Sequence, residues 1–177
     1  MKITGKIKAI AIGVLILSSV AWSSAKADAA DADSIRTKVA RVALKLEPVT
    51  GIKVNIKVLT DSKKDACVLP DGTVLVTSAL ISASESDDEV AFILAHEISH
   101  VIAKDYYSFT PELNNANIPN LQLREINADM NAVHFTKKAG YDPSAAMQIL
   151  SRLNTVSTPV FRNRLENLSI YLKDIKK

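Results

Sequence analysis

The run His96-Glu97-Ile98-Ser99-His100 holds the residues of this sequence that are best suited to chemistry. On a helix, two histidines four positions apart leave the same face one turn apart, so both imidazoles can bind one zinc ion. Glu97 would then lie beside the metal, where it can take a proton from a zinc-activated water. The pattern therefore predicts a zinc hydrolase in which His96 and His100 are ligands and Glu97 is the general base.

A catalytic zinc site needs a third protein ligand and one open position for water. A histidine six residues after His100 would supply that ligand in the metzincin arrangement, but Tyr106 occupies this position. Glu125 and His134 remain as candidates, and their nine-residue separation places them on opposite sides of one helix. Asp129 favours Glu125, because it lies one turn further on the same face and can accept a hydrogen bond from a ligand histidine. We therefore predict that Glu125 is the third ligand, that Asp129 supports the site, and that His134 is an ordinary surface or boundary residue.

The sequence around these residues supplies the helices that the site requires. Ser86 to Glu89 forms an S-x-x-E capping box, which is typical of a helix start. A second helix is predicted over residues 123–138, and it carries Glu125 and Asp129. The apolar residues after the capping box recur with helical spacing, which places H-E-x-x-H in mid-helix: Val90, Ile93, Leu94, Ile98, Val101 and Ile102.

Short strands are predicted upstream of the active-site helix. Apolar and polar residues alternate over residues 52–58, and two further strands are indicated at 67–69 and 73–77 around a Pro-Asp-Gly turn. We expect a small antiparallel sheet of about three strands. Since amphipathic helices precede and follow these elements, the fold class is α+β: a single domain over residues 34–177 with the sheet packed on the active-site helix.

Residues 1–27 have the layout of a secretory signal peptide. A basic start precedes a 12-residue apolar stretch at 9–20, which is shorter than the roughly 20 residues of a membrane-spanning helix. Ala25-Lys26-Ala27 then forms an A-x-A cleavage site. We expect cleavage after Ala27, a flexible mature N-terminus over residues 28–33, and an exported bacterial protein, periplasmic or secreted, without a stable membrane anchor.

The charge and cysteine content exclude some classes of function. Without the four lysines of the predicted leader, 18 basic and 19 acidic residues remain of the 22 and 19 in the chain, so the mature net charge is −1. This balance leaves no basic surface of the kind that binds nucleic acid. The single cysteine, Cys67, excludes an internal disulfide, and we expect it to be a small buried apolar residue.

Several motifs in register resemble those of one protein family. Glu125-Ile126-Asn127-Ala128-Asp129, followed by Ala139-Gly140-Tyr141-Asp142-Pro143, resembles the E-x-x-A-D and A-G-Y-D-P stretches of the HtpX-like and CAAX-prenyl-protease-like gluzincin metalloproteases. Residues 65–72 are similar to that family's N-A-F-x-x-P-x-G strand and turn, and residues 76–80 to its V-T-x-G-L. The likeness extends from about residue 54 to residue 153.

The resemblance implies a zincin-like fold and cleavage of peptide bonds in polypeptide substrates. It also implies one zinc ion per chain, with Glu97 as general base and Asp129 in support of three ligands: His96, His100 and Glu125.

The chain departs from the family pattern at some positions. Thr158 replaces the histidine of a late H-P-x-x-x-x-R element, whereas Arg164 is retained. Tyr106, Tyr107 and Arg164 are all candidates for the donor that stabilises the oxyanion. The departures leave a second function open, a zinc-binding chaperone-like or interaction module with little or no proteolysis. The retained Glu97 favours the peptidase, because a purely structural zinc site needs no base.

Overall fold

The computed structural model describes residues 31–104, 118–153 and 158–175. The predicted leader, its cleavage site, Tyr106 and Tyr107 lie outside these residues. The described parts form six helices and three strands in one α+β unit, which confirms the predicted fold class. Helix α1 covers residues 31–50, and the remaining elements are β1 (Ile56–Leu59), β2 (Ala66–Val68), β3 (Val74–Thr77), α2 (Ser78–Ser82), α3 (Asp87–Ala103), α4 (Ile118–Lys138), α5 (Ala145–Leu153) and α6 (Pro159–Asp174).

Helix α3 lies at the centre of the fold and carries the H-E-x-x-H run. Its N-cap is Ser86, whose side chain accepts a hydrogen bond from the backbone N–H of Glu89, as the capping box predicts. The helix ends at Lys104, which adopts a left-handed conformation with φ of 54°. All residues from Glu89 to Ser99 are buried, so every face of this segment is covered by another element. The histidines and Glu97 are therefore held on a fully packed helix.

The sheet beside α3 is mixed, so the prediction of a purely antiparallel sheet is wrong. The strand order is β1-β3-β2, in which β3 pairs antiparallel with β2 and parallel with β1. Strand β3 takes the central position because Val74 and Val76 are completely buried, whereas β1 and β2 alternate between half-buried and exposed residues. With β3 between the other two strands, the chain reverses direction twice before β3 lies alongside β1, and those two strands run parallel.

Two further expectations about the N-terminal half need correction. Residues 31–33 were expected to be flexible, but they belong to α1, where alanine favours a helix. Cys67 is exposed rather than buried, since it lies on the face of β2 opposite to the half-buried Ala66 and Val68.

Helix α1 covers one side of the core with the apolar stripe that the sequence predicts. The stripe consists of Ile35, Val39, Val42 and Leu46, all of them buried. On the other side, α4 packs along α3. Helix α4 begins at Ile118, five residues before the predicted start, with Pro119 in its first turn, where a missing backbone N–H is tolerated.

Helix α4 ends in a Schellman motif around Gly140. The N–H of Tyr141 bonds to the carbonyl of Thr136, the N–H of Gly140 bonds to that of Lys137, and Gly140 has a φ of 81°. Helix α6 closes the domain with Leu168 and Leu172 buried against the core. Among the described helices, none is both long enough and apolar enough to cross a membrane.

Candidate metal centre

The two histidines of α3 meet on one face of the helix, as their spacing predicts. Their Nε2 atoms lie 3.2 Å apart, and their rings are arranged edge to face with centroids 4.8 Å apart. His96 is buried and His100 is partly exposed. The two Nε2 atoms are therefore close enough to bind one metal ion.

Glu125 of α4 completes a group of three possible metal ligands. Its Oε2 lies 3.5 Å from the Nε2 of His96, and its Oε1 lies 3.4 Å from the Nε2 of His100. Tetrahedral donors at the usual zinc bond lengths are about 3.3 Å apart, which is close to the distance between the two Nε2 atoms and to the distance from each Nε2 to one of the Glu125 oxygens. Two imidazoles and one carboxylate also form a donor set that zinc uses in catalytic sites. The residues present therefore fit a zinc ion held by His96, His100 and Glu125.

His134, the alternative third ligand, does not belong to this group. It is exposed on α4, and its ring lies beside that of Phe135, with 6.1 Å between the centroids. The nine residues between Glu125 and His134 turn the histidine away from α3, which is the geometry that the sequence predicts.

Asp129 supports His96 from one turn further along α4. Its Oδ1 lies 2.9 Å from the Nδ1 of His96, and the carboxyl group is almost completely buried. A carboxylate at Nδ1 fixes the proton on that nitrogen and leaves Nε2 free to bind a metal. Helix α4 is also fastened to α3 by Asn131, whose side-chain amide donates to the buried hydroxyl of Ser99 over 2.9 Å.

Arg164 of α6 contacts both carboxylates of α4. Its Nε and Nη2 each donate to Asp129 over 2.8 Å, and its Nη1 lies 2.9 Å from the Oε2 of Glu125. The sequence suggested Arg164 only as a possible oxyanion donor, whereas the structure places three of its nitrogen atoms on these two acids. Because Arg164 is the retained arginine of the family's H-P-x-x-x-x-R element, that motif was the sequence signal that could have placed it at the site.

Burial and charge act in opposite directions on the pKa values of the site. Burial lowers the pKa of His96, but the hydrogen bonds and charges of Asp129 and Glu125 outweigh it and raise this pKa to about 10. Burial would raise the pKa of the Glu125 and Asp129 carboxyl groups, but the histidines and Arg164 hold both pKa values below their usual range. Without metal the centre is thus a network of paired charges, and zinc can bind His96 only when the ring releases a proton.

Glu97 faces a cleft of about 260 Å³ beside these ligands. Burial raises the pKa of its carboxyl group, while the nearby imidazoles oppose that rise. Within the part of the chain that the structure describes, this carboxylate forms no hydrogen bond or ion pair. Apolar residues also line the cleft: Leu80, Phe92, Ile93, Leu150 and Leu153. A buried carboxylate with a raised pKa, open to a cleft, is suited to accept a proton from a reacting group.

Known proteins show similarity to parts of this chain. The model of peptidase family M48 matches residues 29–119. The mitochondrial metalloendopeptidase OMA1 of Arabidopsis thaliana is 27% identical over 127 residues, which is 58% of this chain and 26% of that protein. The protein of the same name from Saccharomyces cerevisiae is 39% identical over 56 residues, or 30% of this chain and 16% of the relative. The chain therefore spans about a quarter or less of the length of these relatives.

Proposed function

This chain belongs to peptidase family M48, and from that membership we propose that it is a zinc-dependent metalloendopeptidase that hydrolyses peptide bonds in polypeptides. The observation that carries the proposal is the convergence of His96, His100 and Glu125 beside the buried carboxylate of Glu97. A zinc-stabilised binding module would use the three ligands but would have no use for a buried carboxylate that lacks a hydrogen-bond or ion-pair partner among the described residues, since such a group destabilises a fold.

Each residue of the centre has a role in the proposed reaction. His96, His100 and Glu125 would hold the zinc ion, which supplies a Lewis acid for the peptide carbonyl and acidifies water. Glu97 accepts the proton of the attacking water and delivers it to the leaving nitrogen. Asp129 keeps the proton of His96 on Nδ1 throughout, so that Nε2 stays directed at the centre.

The edge of the sheet supports a polypeptide as the substrate. Among the described strands, β2 lies at an edge of the sheet and pairs with β3 on one side, and Ala66 of this strand lies in the wall of the cleft. An extended peptide can add to such an edge through its backbone, and its side chains can then reach the apolar residues that line the cleft. Because this recognition requires an extended chain, we also propose a role in protein quality control, with unfolded proteins as substrates.

Export is proposed on the signal-peptide pattern of residues 1–27. Cell fractionation followed by N-terminal sequencing tests it directly, and the expected product begins at Asp28 and lies outside the cytoplasm. A full-length protein that stays in the cytoplasm would contradict export but would leave the peptidase proposal standing.

The peptidase activity is tested by the substitution Glu97→Gln. The purified protein with zinc should cleave an unfolded protein such as casein, and the variant should lose at least about 10²-fold in rate, since general base catalysis typically contributes that much. The variant should keep its zinc, because Glu97 is not a ligand. Glu166→Gln makes the same chemical change at an exposed position of α6 and serves as the control.

Two results would count against the peptidase. Unchanged cleavage by the Glu97→Gln variant would remove Glu97 from the mechanism. Stoichiometric zinc binding without cleavage of any denatured protein would favour the alternative, a zinc-binding chaperone-like module.

A further inference from the structure

The guanidinium of Arg164 lies between two acids that would repel each other without it. Glu125 and Asp129 are four residues apart on one face of α4, where like charges destabilise a helix. The guanidinium binds Asp129 through two nitrogens and Glu125 through the third, and the arginine side chain is itself largely buried. The acids can therefore remain ionised and close together at the centre.

We propose that Arg164 is a positioning residue of the metal centre, which holds Glu125 and Asp129 in the arrangement that a metal requires. The proposal rests on the zinc site described above. Glu125 needs such a hold more than the histidines do, because its side chain is long and 34% exposed. Arg164 binds the oxygen of Glu125 that faces His96, so it limits where this carboxylate can point. The Glu125 carboxylate would therefore be oriented toward the site before a zinc ion binds.

The charge balance of the centre also supports a positioning role for Arg164. Glu97, Glu125 and Asp129 carry three negative charges, which one guanidinium and one divalent cation neutralise together. Without Arg164, the centre would hold an uncompensated charge in a partly buried site, which is unfavourable even with zinc bound.

The placement of Arg164 makes the metal centre depend on the docking of α6. Arg164, Leu168 and Leu172 follow each other at four-residue intervals and so share one face of the helix. Leu168 and Leu172 are buried in the core, while Arg164 reaches the acids of α4. Thr158 fixes the start of α6, because its side chain accepts a hydrogen bond from the N–H of Phe161. The packing of α6 against the core therefore positions Arg164 beside Glu125 and Asp129.

Zinc affinity, measured by competition with a chromophoric chelator, tests the proposal without any reference to peptidase activity. Arg164→Gln should weaken zinc binding about 10–100-fold, the usual effect of removing a group that orients metal ligands. Arg164→Lys should fall between this variant and the wild type, because an ammonium can neutralise the acids but cannot bind both in the planar arrangement of arginine. Arg162→Gln, at an exposed position of the same helix, should bind zinc as the wild type does.

Cobalt substitution adds a readout that a general loss of stability would not change. The visible absorption of bound Co²⁺ depends on the geometry of its ligands, so Arg164→Gln and Arg164→Lys should alter the spectrum and Arg162→Gln should not. In a double-mutant cycle, Arg164→Gln should weaken zinc binding less when Glu125 is already glutamine, because the arginine acts through that residue.

A folded Arg164→Gln protein with the zinc affinity and cobalt spectrum of the wild type would overturn the proposal. If that variant does not fold, the same result with Arg164→Lys decides against it. Arg164-dependent zinc binding in a protein that cleaves no polypeptide would refute the peptidase function alone. A wild-type protein that binds no zinc would overturn both.

Discussion

Replacement of Asp129 by asparagine tests the polar contacts behind the proposed metal ligands. Arg164 donates to both oxygens of Asp129, from Nη2 to Oδ1 and from Nε to Oδ2, and the Nδ1 of His96 lies 2.9 Å from Oδ1. Asparagine has one acceptor oxygen and one NH₂ group. Its better orientation puts the oxygen at the Oδ1 position, which keeps two contacts and turns the NH₂ group against the Nε–H of Arg164.

The expected loss of stability follows from this geometry. A buried donor left without its acceptor costs about 1–3 kcal/mol, and removal of one partner of a buried ion pair costs about 3–5 kcal/mol. Glu125 still contacts Arg164 in the variant, so the charge is not left alone. We therefore expect Asp129→Asn to lower the free energy of unfolding of the metal-free protein by about 2–3 kcal/mol. Because the contact to His96 survives, zinc affinity should fall only about 10-fold, the lower end of the range for such residues.

Urea denaturation followed by circular dichroism measures the stability, and chelator competition measures the affinity. Glu166→Gln, which also converts a carboxylate to an amide but at an exposed position, should change either quantity little. If Asp129→Asn were as stable as this control, the contacts of Asp129 would not stabilise the fold as we describe. A variant that loses stability but binds zinc as tightly as the wild type would show that Asp129 does not support His96.

Removal of zinc should lower the melting temperature, since free zinc at about 100 times its Kd stabilises the folded state by about 2.7 kcal/mol. His100→Ala should abolish this difference, and an equal melting temperature with zinc and with chelator would contradict the site. Although Cys67 is an exposed residue, partial desolvation of its thiol, and then the negative charge of Glu97, raise the pKa of this group, so less of it is thiolate near neutral pH. Iodoacetamide should therefore alkylate Cys67 more slowly than a free peptide cysteine at about pH 8, with a rate that keeps rising at higher pH; equal rates would contradict the raised pKa.

Much of the geometry of the candidate metal centre could be predicted because its signals are local in sequence. The spacing of His96 and His100 determines their common face on α3, and the capping box at Ser86 indicates where that helix begins. The pair Glu125 and Asp129 follows the same helical rule on α4. Local patterns of this kind depend only on the geometry of a helix, which is the same in every fold.

The contacts that were not predicted connect distant parts of the chain. Arg164 lies 35 residues from Asp129, and no periodicity links the two. The alternation of polar and apolar residues shows which face of β1 is buried, but it does not show whether β2 or β3 is its neighbour. Strand order depends on how the whole core closes, in particular on the burial of Val74 and Val76 of β3.

The position of Glu125 supports the proposed metal centre independently of the family match, because that match does not reach this residue. The match to peptidase family M48 ends at residue 119, so it includes His96, Glu97 and His100 but not Glu125 or any residue of α6. An H-E-x-x-H helix whose remaining ligand lay elsewhere would fit this match equally well. The structure nevertheless brings Glu125 to both imidazoles at separations suited to zinc, and α6 supplies the arginine that holds it. Residues of α4 and α6 thus converge on the same point as the two histidines of α3, as the proposed metal centre requires.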